Sequence, residues 1–105
     1  PNGIVGLETA LGVVTTSLVA SGILDWPVLI ERMACAPARL FHLPGGTLRR
    51  GSPADVTVFD PARRWIVDPS TFLSKGRNTP YAGRELEGAA RFTIVGGRLV
   101  HRAER

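Results

Sequence analysis

Apolar residues change their spacing once along this chain, near residue 43, and that change sets the expected architecture. From Leu7, the residues Leu7, Ala10, Leu11, Val14 and Leu18 recur at three- and four-residue intervals, which predicts a helix with one buried stripe. Thr9, Thr15, Thr16 and Ser17 are weak helix formers, so packing against neighbours has to hold this helix. Ser21-Gly22 ends it. Asp25 is a good N-cap for a second helix, and Pro27 suits a first turn, where amides lack intrahelical partners anyway. Trp26, Leu29, Ile30 and Met33 give that helix an apolar face, with Glu31 and Arg32 turned to water. Pro37 predicts a fresh, short helix over Pro37–Phe41.

Beyond Pro44-Gly45-Gly46 the period becomes two. Thr47–Arg49 is an expected short strand, Arg50–Pro53 a turn, Asp55–Phe59 a strand and Arg64–Val67 another. Asp68 to Arg84 has no period and is expected to be loop, with one helical turn after Asp68-Pro69. Ala89–Val95 and Arg98–Arg102 alternate well, and Gly96-Gly97 between them suits a two-residue hairpin of mirror-image type. The expected fold class is therefore an α+β segment, helical to residue 43 and β after it. A layer of this size cannot close a rich core alone, and the chain enters its pattern with no Met or signal peptide. Both features predict a segment of something longer.

Composition narrows the function classes. With 105 residues, 44% apolar and 21% charged, the chain fits a folded small domain or part of a larger one. No apolar run approaches the roughly 18–20 residues that span a bilayer, so no membrane role is expected. Cys35 is the single cysteine and cannot form an internal disulfide; a packed side chain in a reducing cytoplasm is the simplest expectation. The net charge is +4, and 12 of the 13 basic residues are Arg. They are scattered among acids, and no aromatic series lies beside them, so a solvated basic surface is expected rather than a nucleic-acid partner.

Candidate chemistry is sparse. His42 and His101 stand in unrelated contexts, and no His-x-His, His-Glu-x-x-His or paired Cys occurs, so no metal site is expected within the segment. Asp55 and Asp60 bracket a strand, and five extended residues place them on the order of 16 Å apart, too far for shared acid–base work. Asp55 is expected to satisfy amides of the Gly51–Ala54 turn, and Asp60-Pro61 to end the strand. Glu8 is expected to complement the positive end of the first helix. The Ser74–Asn78 stretch lies in a long loop. It is either functional or a glycine-bearing turn that docks the β-layer on its neighbour.

Three runs carry a resemblance. Pro37-Ala-Arg-Leu-Phe41, then Gly51-x-x-Ala-Asp-Val-x-Val-x-Asp-Pro61, then Thr93-Ile-Val-x-Gly-Arg-x-Val100, resemble the amidohydrolase superfamily. Within it, Gly3-Ile-Val-Gly-Leu-Glu-Thr-Ala-Leu11 and Ser74-Lys75-x-x-Asn78-Thr79-Pro80-Tyr81 are similar to dihydroorotases. The resemblance implies a metal-dependent (β/α)8 TIM barrel bearing a small composite β-sandwich. Residues 1–43 would be the last barrel loop and the final helices, and residues 44–105 the C-terminal strands of the sandwich. It also implies zinc-dependent, reversible cyclisation of N-carbamoyl-L-aspartate to dihydroorotate in pyrimidine synthesis.

By the same likeness, Asn2 and Gly3 lie in a loop that holds the substrate ring through main-chain hydrogen bonds. The metal-binding histidines, a carboxylated lysine and the proton-moving Asp belong upstream, so no catalytic or metal-ligating residue is assigned in this segment. One or two Zn²⁺ ions are the implied cofactor. The implied partners are the small-molecule substrate, the upstream barrel chain, a second copy in a homodimer and aspartate carbamoyltransferase. Two alternatives stay open: an inactive dihydroorotase-like structural partner of aspartate carbamoyltransferase, and another cyclic amidohydrolase such as an allantoinase or hydantoinase.

Overall fold

The computed structural model describes residues 3–103. They form a helical portion followed by a three-stranded antiparallel sheet. The first helix, α1, spans Ala10–Val14 and continues as a wide π-helical turn over Thr15–Val19. Gly22, at φ +83°, closes it, as the Ser21-Gly22 pair predicts. The buried face is not the expected apolar stripe. Thr9, Gly12 and Thr15 are buried, while Leu7 precedes the helix and is 92% exposed. A Cβ at Gly12 would meet Trp65 Cζ2 at 2.9 Å and Leu86 Cδ1 at 3.1 Å. Small side chains win this face because the helix backbone runs close against the sheet.

The second helical stretch begins where expected. Asp25 Oδ1 accepts the Val28 N–H at 3.0 Å and caps α2, Trp26–Ile30, with Pro27 in its first turn. Pro37 does not restart the chain. The helix runs on through a π-helical turn, Glu31–Cys35, into α3, Ala36–Leu40. Proline costs a helix one amide and crowds the preceding turn, and a wide turn just ahead of it relieves that crowding. Glu31 keeps its side chain largely in water, as expected, and pairs there with Arg39. His42 takes the left-handed conformation at φ 55°, and α3 ends with Leu43 N–H on Ala38 O at 2.8 Å and His42 N–H on Arg39 O at 3.3 Å. This pair of bonds satisfies two carbonyls of the last turn.

Thr47–Arg49 pairs with no strand among the described residues, and Leu48 is 83% exposed. The two expected strands on either side of Asp60-Pro61 are one strand, β1, Val56–Ile66. Asp60 Oδ1 accepts the Ala62 N–H at 2.9 Å, a local turn. The strand absorbs it as a bulge in which residues 61–63 face the single residue Gly88. β2, Glu85–Val95, lies between β1 and β3, Arg98–Arg102. Gly96 and Gly97 both have positive φ, which gives the expected hairpin.

Asp55 serves that hairpin rather than the Gly51–Ala54 turn. Its Oδ1 accepts the Gly96 N–H at 2.8 Å. Trp26 packs on Phe59 with ring centroids 5.0 Å apart, fastening α2 to β1. The core gathers at the other end, where Val67, Phe72 and Leu86 are buried and Val5, Val13, Trp65 and Tyr81 pack around them. Among the described residues, no helix is long and apolar enough to cross a membrane.

Candidate functional site

The segment Gly3–Thr9 leads into α1 across the core, and the 67–84 loop folds back over it. Asp68 Oδ1 accepts the Ser70 N–H at 3.0 Å and starts one turn of 3-10 helix, Pro69–Thr71, as the Asp68-Pro69 pair predicts. The loop then crosses to the start of the chain. Leu73 N–H and Ser74 N–H each reach a carboxylate oxygen of Glu8 at 3.0 Å. Asn78 Nδ2 donates to Gly3 O at 2.8 Å, and Val5 N–H donates to Asn78 O at 3.3 Å. Between these anchors, Gly76 lies so close to Val5 that a Cβ there would sit 2.5 Å from Val5 Cγ1. The loop leaves through Tyr81, whose ring carries the Arg84 guanidinium at 5.7 Å. Gly83 N–H on Val67 O and Val67 N–H on Arg84 O then tie both ends of the loop to each other.

Electrostatics follow from these contacts. The Ser74 amide on the Glu8 carboxylate, supported by the Leu73 amide and the nearby Arg77 guanidinium, holds Glu8 below the usual carboxylate range. Arg77 itself donates to the carbonyls of Ser74 and Gly76, which braces the loop from within. Glu8 sits ahead of α1, which begins at Ala10, so its work is done on the 73–78 loop rather than on the helix end. A short-range sequence reading cannot find this role, because the partners are 65 and 66 residues away.

Of the two residues assigned to substrate by resemblance, Asn2 lies outside the described residues. Gly3 is exposed, and an added Cβ there would meet no described atom within 4 Å. The arrangement is an open glycine whose carbonyl is already oriented by Asn78. It offers main-chain polar groups at an exposed surface, and no acid–base pair. His42 ends α3 and His101 lies exposed on β3. Among the described residues, no group of three His, Cys, Asp or Glu side chains could hold a metal ion. Zinc therefore does not fit this set of side chains. Cys35 is half-buried, and its thiol lies 3.4 Å from Gly46 O.

Comparison with known proteins places these features. The chain is 50% identical over 101 residues to the dihydroorotase of Geobacter metallireducens, covering 96% of this chain and 24% of that protein. It is 56% identical over 100 residues to the dihydroorotase of Anaeromyxobacter sp. strain K, covering 95% and 23%. Among solved structures, the L-hydantoinase (dihydropyrimidinase) of Arthrobacter aurescens superposes with a TM-score of 0.90 at 38% identity, over 96% of this chain and 23% of that one. The D-hydantoinase of a Thermus species gives 0.88 at 29% identity, over 97% and 23%. No family model matches the chain. The matches to the dihydroorotases cover 95–96% of this chain. These 105 residues belong to the dihydroorotase family, as a segment spanning about a quarter of the length of the relatives they match.

Proposed function

We propose that this chain is the C-terminal part of a dihydroorotase that interconverts dihydroorotate and N-carbamoyl-L-aspartate. In the hydrolytic direction a ring amide C–N bond breaks. The hydroxyl of water ends on the carbonyl carbon as a carboxylic acid, which ionises to the carboxylate and releases one proton, and the nitrogen takes the other hydrogen of the water. Zinc, one or two ions, would be held by residues outside this segment. Within the segment, Asn2 and Gly3 would meet the substrate ring through main-chain groups, which a glycine permits because no Cβ keeps the ligand away. Residues 1–43 would supply the last loop and final helices of a barrel, where sites form on loops at one face. Residues 44–105 would supply strands of a small sandwich.

The observation that supports this best is the open, oriented backbone at Gly3, held by a second stretch that shares the family likeness. Main-chain recognition of a cyclic amide needs such pre-set donors and acceptors, with no side chain in the way. The likeness to two hydantoinase structures favours a second reading, hydrolysis of a different cyclic amide at the same loop. A homodimer, a complex with aspartate carbamoyltransferase and a cytoplasmic location belong to the same proposal for the full protein.

Turnover assays on the full-length protein decide among these. Dihydroorotate is expected to be hydrolysed with a far higher kcat/KM than hydantoin or allantoin. A preference for hydantoin or allantoin selects the second reading. No turnover of any of the three, with a stable complex with aspartate carbamoyltransferase, leaves a structural partner.

A further inference from the structure

The two stretches that carry the family likeness meet through three separate contacts: two are sets of hydrogen bonds to backbone, and the third is the close approach of Gly76 to the Val5 side chain. Glu8 receives two amides of the 73–78 loop and fixes where the loop arrives. Asn78 then takes both ends of the Gly3–Val5 backbone: its side-chain amide donates to the Gly3 carbonyl, and its own carbonyl accepts from the Val5 amide. Gly76, between them, allows an approach to Val5 that any side chain would prevent. We infer that Glu8 and Asn78 are positioning residues, which make the 73–78 loop a clamp on the backbone of Gly3–Val5.

This inference rests on the reading of Gly3 as a substrate contact. Its physical basis is the planarity of the peptide unit. The Gly3 carbonyl and the Ile4 N–H share one plane, so holding the carbonyl sets the direction of both groups. A site that recognises a ring through backbone cannot adjust by choosing another side-chain rotamer, so the plane itself has to be held. Small errors of placement far from the reacting atoms are costly, up to roughly a hundredfold in rate for about 1 Å. Neither clamp residue is buried, so each can be changed without opening the core.

The test uses the full-length protein, with Asn78→Ala, Asn78→Asp and Glu8→Gln compared by backbone amide exchange and by steady-state kinetics. Asn78→Asp keeps the size of the side chain and replaces the donor facing the Gly3 carbonyl by an acceptor, so it should be at least as damaging as alanine. Exchange in the Ile4–Leu7 peptide is expected to rise roughly tenfold, with β2 unchanged. KM for dihydroorotate is expected to rise roughly tenfold, with kcat held within about twofold. A loop of merely structural value would lower the melting temperature and the active fraction and leave KM alone, and that result overturns the positioning role. Unchanged exchange at Ile4–Leu7 overturns the clamp, whether or not the wild type is active. A wild type that turns over no dihydroorotate sinks the proposed activity, and the exchange measurement alone then decides the clamp.

Discussion

The region around α1 and the stretch from α3 to Leu48 invert the usual rule of burial in opposite directions. Around α1, threonines and glycines are buried. Thr16 Oγ1 accepts the Glu87 N–H at 2.8 Å, and Gly88, at φ +96°, lies where a Cβ would sit 2.8 Å from Thr15 Oγ1. In the second region the large apolar residues Leu40, Phe41, Leu43 and Leu48 are all exposed. The first region closes on itself through close backbone approach and specific polar contacts, whereas the second holds apolar surface that nothing among the described residues covers. A substitution around α1 should therefore read out locally, and one between residues 40 and 48 should depend on the rest of the full-length protein.

Leu86→Ala should have the largest effect on stability. Leu86 is 2% exposed beside Gly12 and the Val67–Phe72 cluster, and truncation there should cost about 3 kcal/mol in chemical denaturation of the full-length protein. Gly88→Ala should follow at about 2 kcal/mol, because the new methyl group meets Thr15 and the backbone is left-handed. Leu40→Ala sharpens the contrast. If the second region is covered in the full-length protein, the cost should exceed about 1 kcal/mol, whereas a solvated leucine should lose at most roughly 0.5 kcal/mol.

Asp55→Ala should cost about 1 kcal/mol through the lost bond to the Gly96 amide, with kcat and KM unchanged. The smallest effect is on pH dependence. Glu8 and Asp68 both have folded-state pKa values below the ordinary carboxylate range, through the Ser74 amide and the Ser70 hydroxyl respectively. Their stabilisation is therefore full above the unfolded pKa and fades as pH falls through the folded one. Glu8→Gln should flatten the acid limb of a melting-temperature profile and leave the neutral region parallel to wild type.

What the sequence revealed was local. The Asp25 cap, the Gly96-Gly97 hairpin, the end of the first helix at Gly22 and the turn after Asp68 each depend on a few adjacent residues, and each stands as expected. The buried face of α1 was not legible, because its partner is β2, about seventy residues on, and closeness there selects small residues over apolar ones. Asp60-Pro61 carries a turn signal that β1 accommodates as a bulge, and Thr47–Arg49 alternates without a neighbour to pair with. For the candidate site, Gly3 was reached through resemblance alone, while the contacts of Glu8 and Asn78 emerged only when the late loop was seen lying across the first segment.

The central claim is that the open backbone at Gly3 meets the substrate, and Gly3→Val in the full-length protein tests it most directly. No described atom within 4 Å opposes the new Cβ, so the fold of this segment gives no reason for loss of stability. The account predicts a KM for dihydroorotate raised by roughly tenfold or more, with bound metal and melting temperature retained. Wild-type kinetics in Gly3→Val would contradict it and leave this segment a structural role alone.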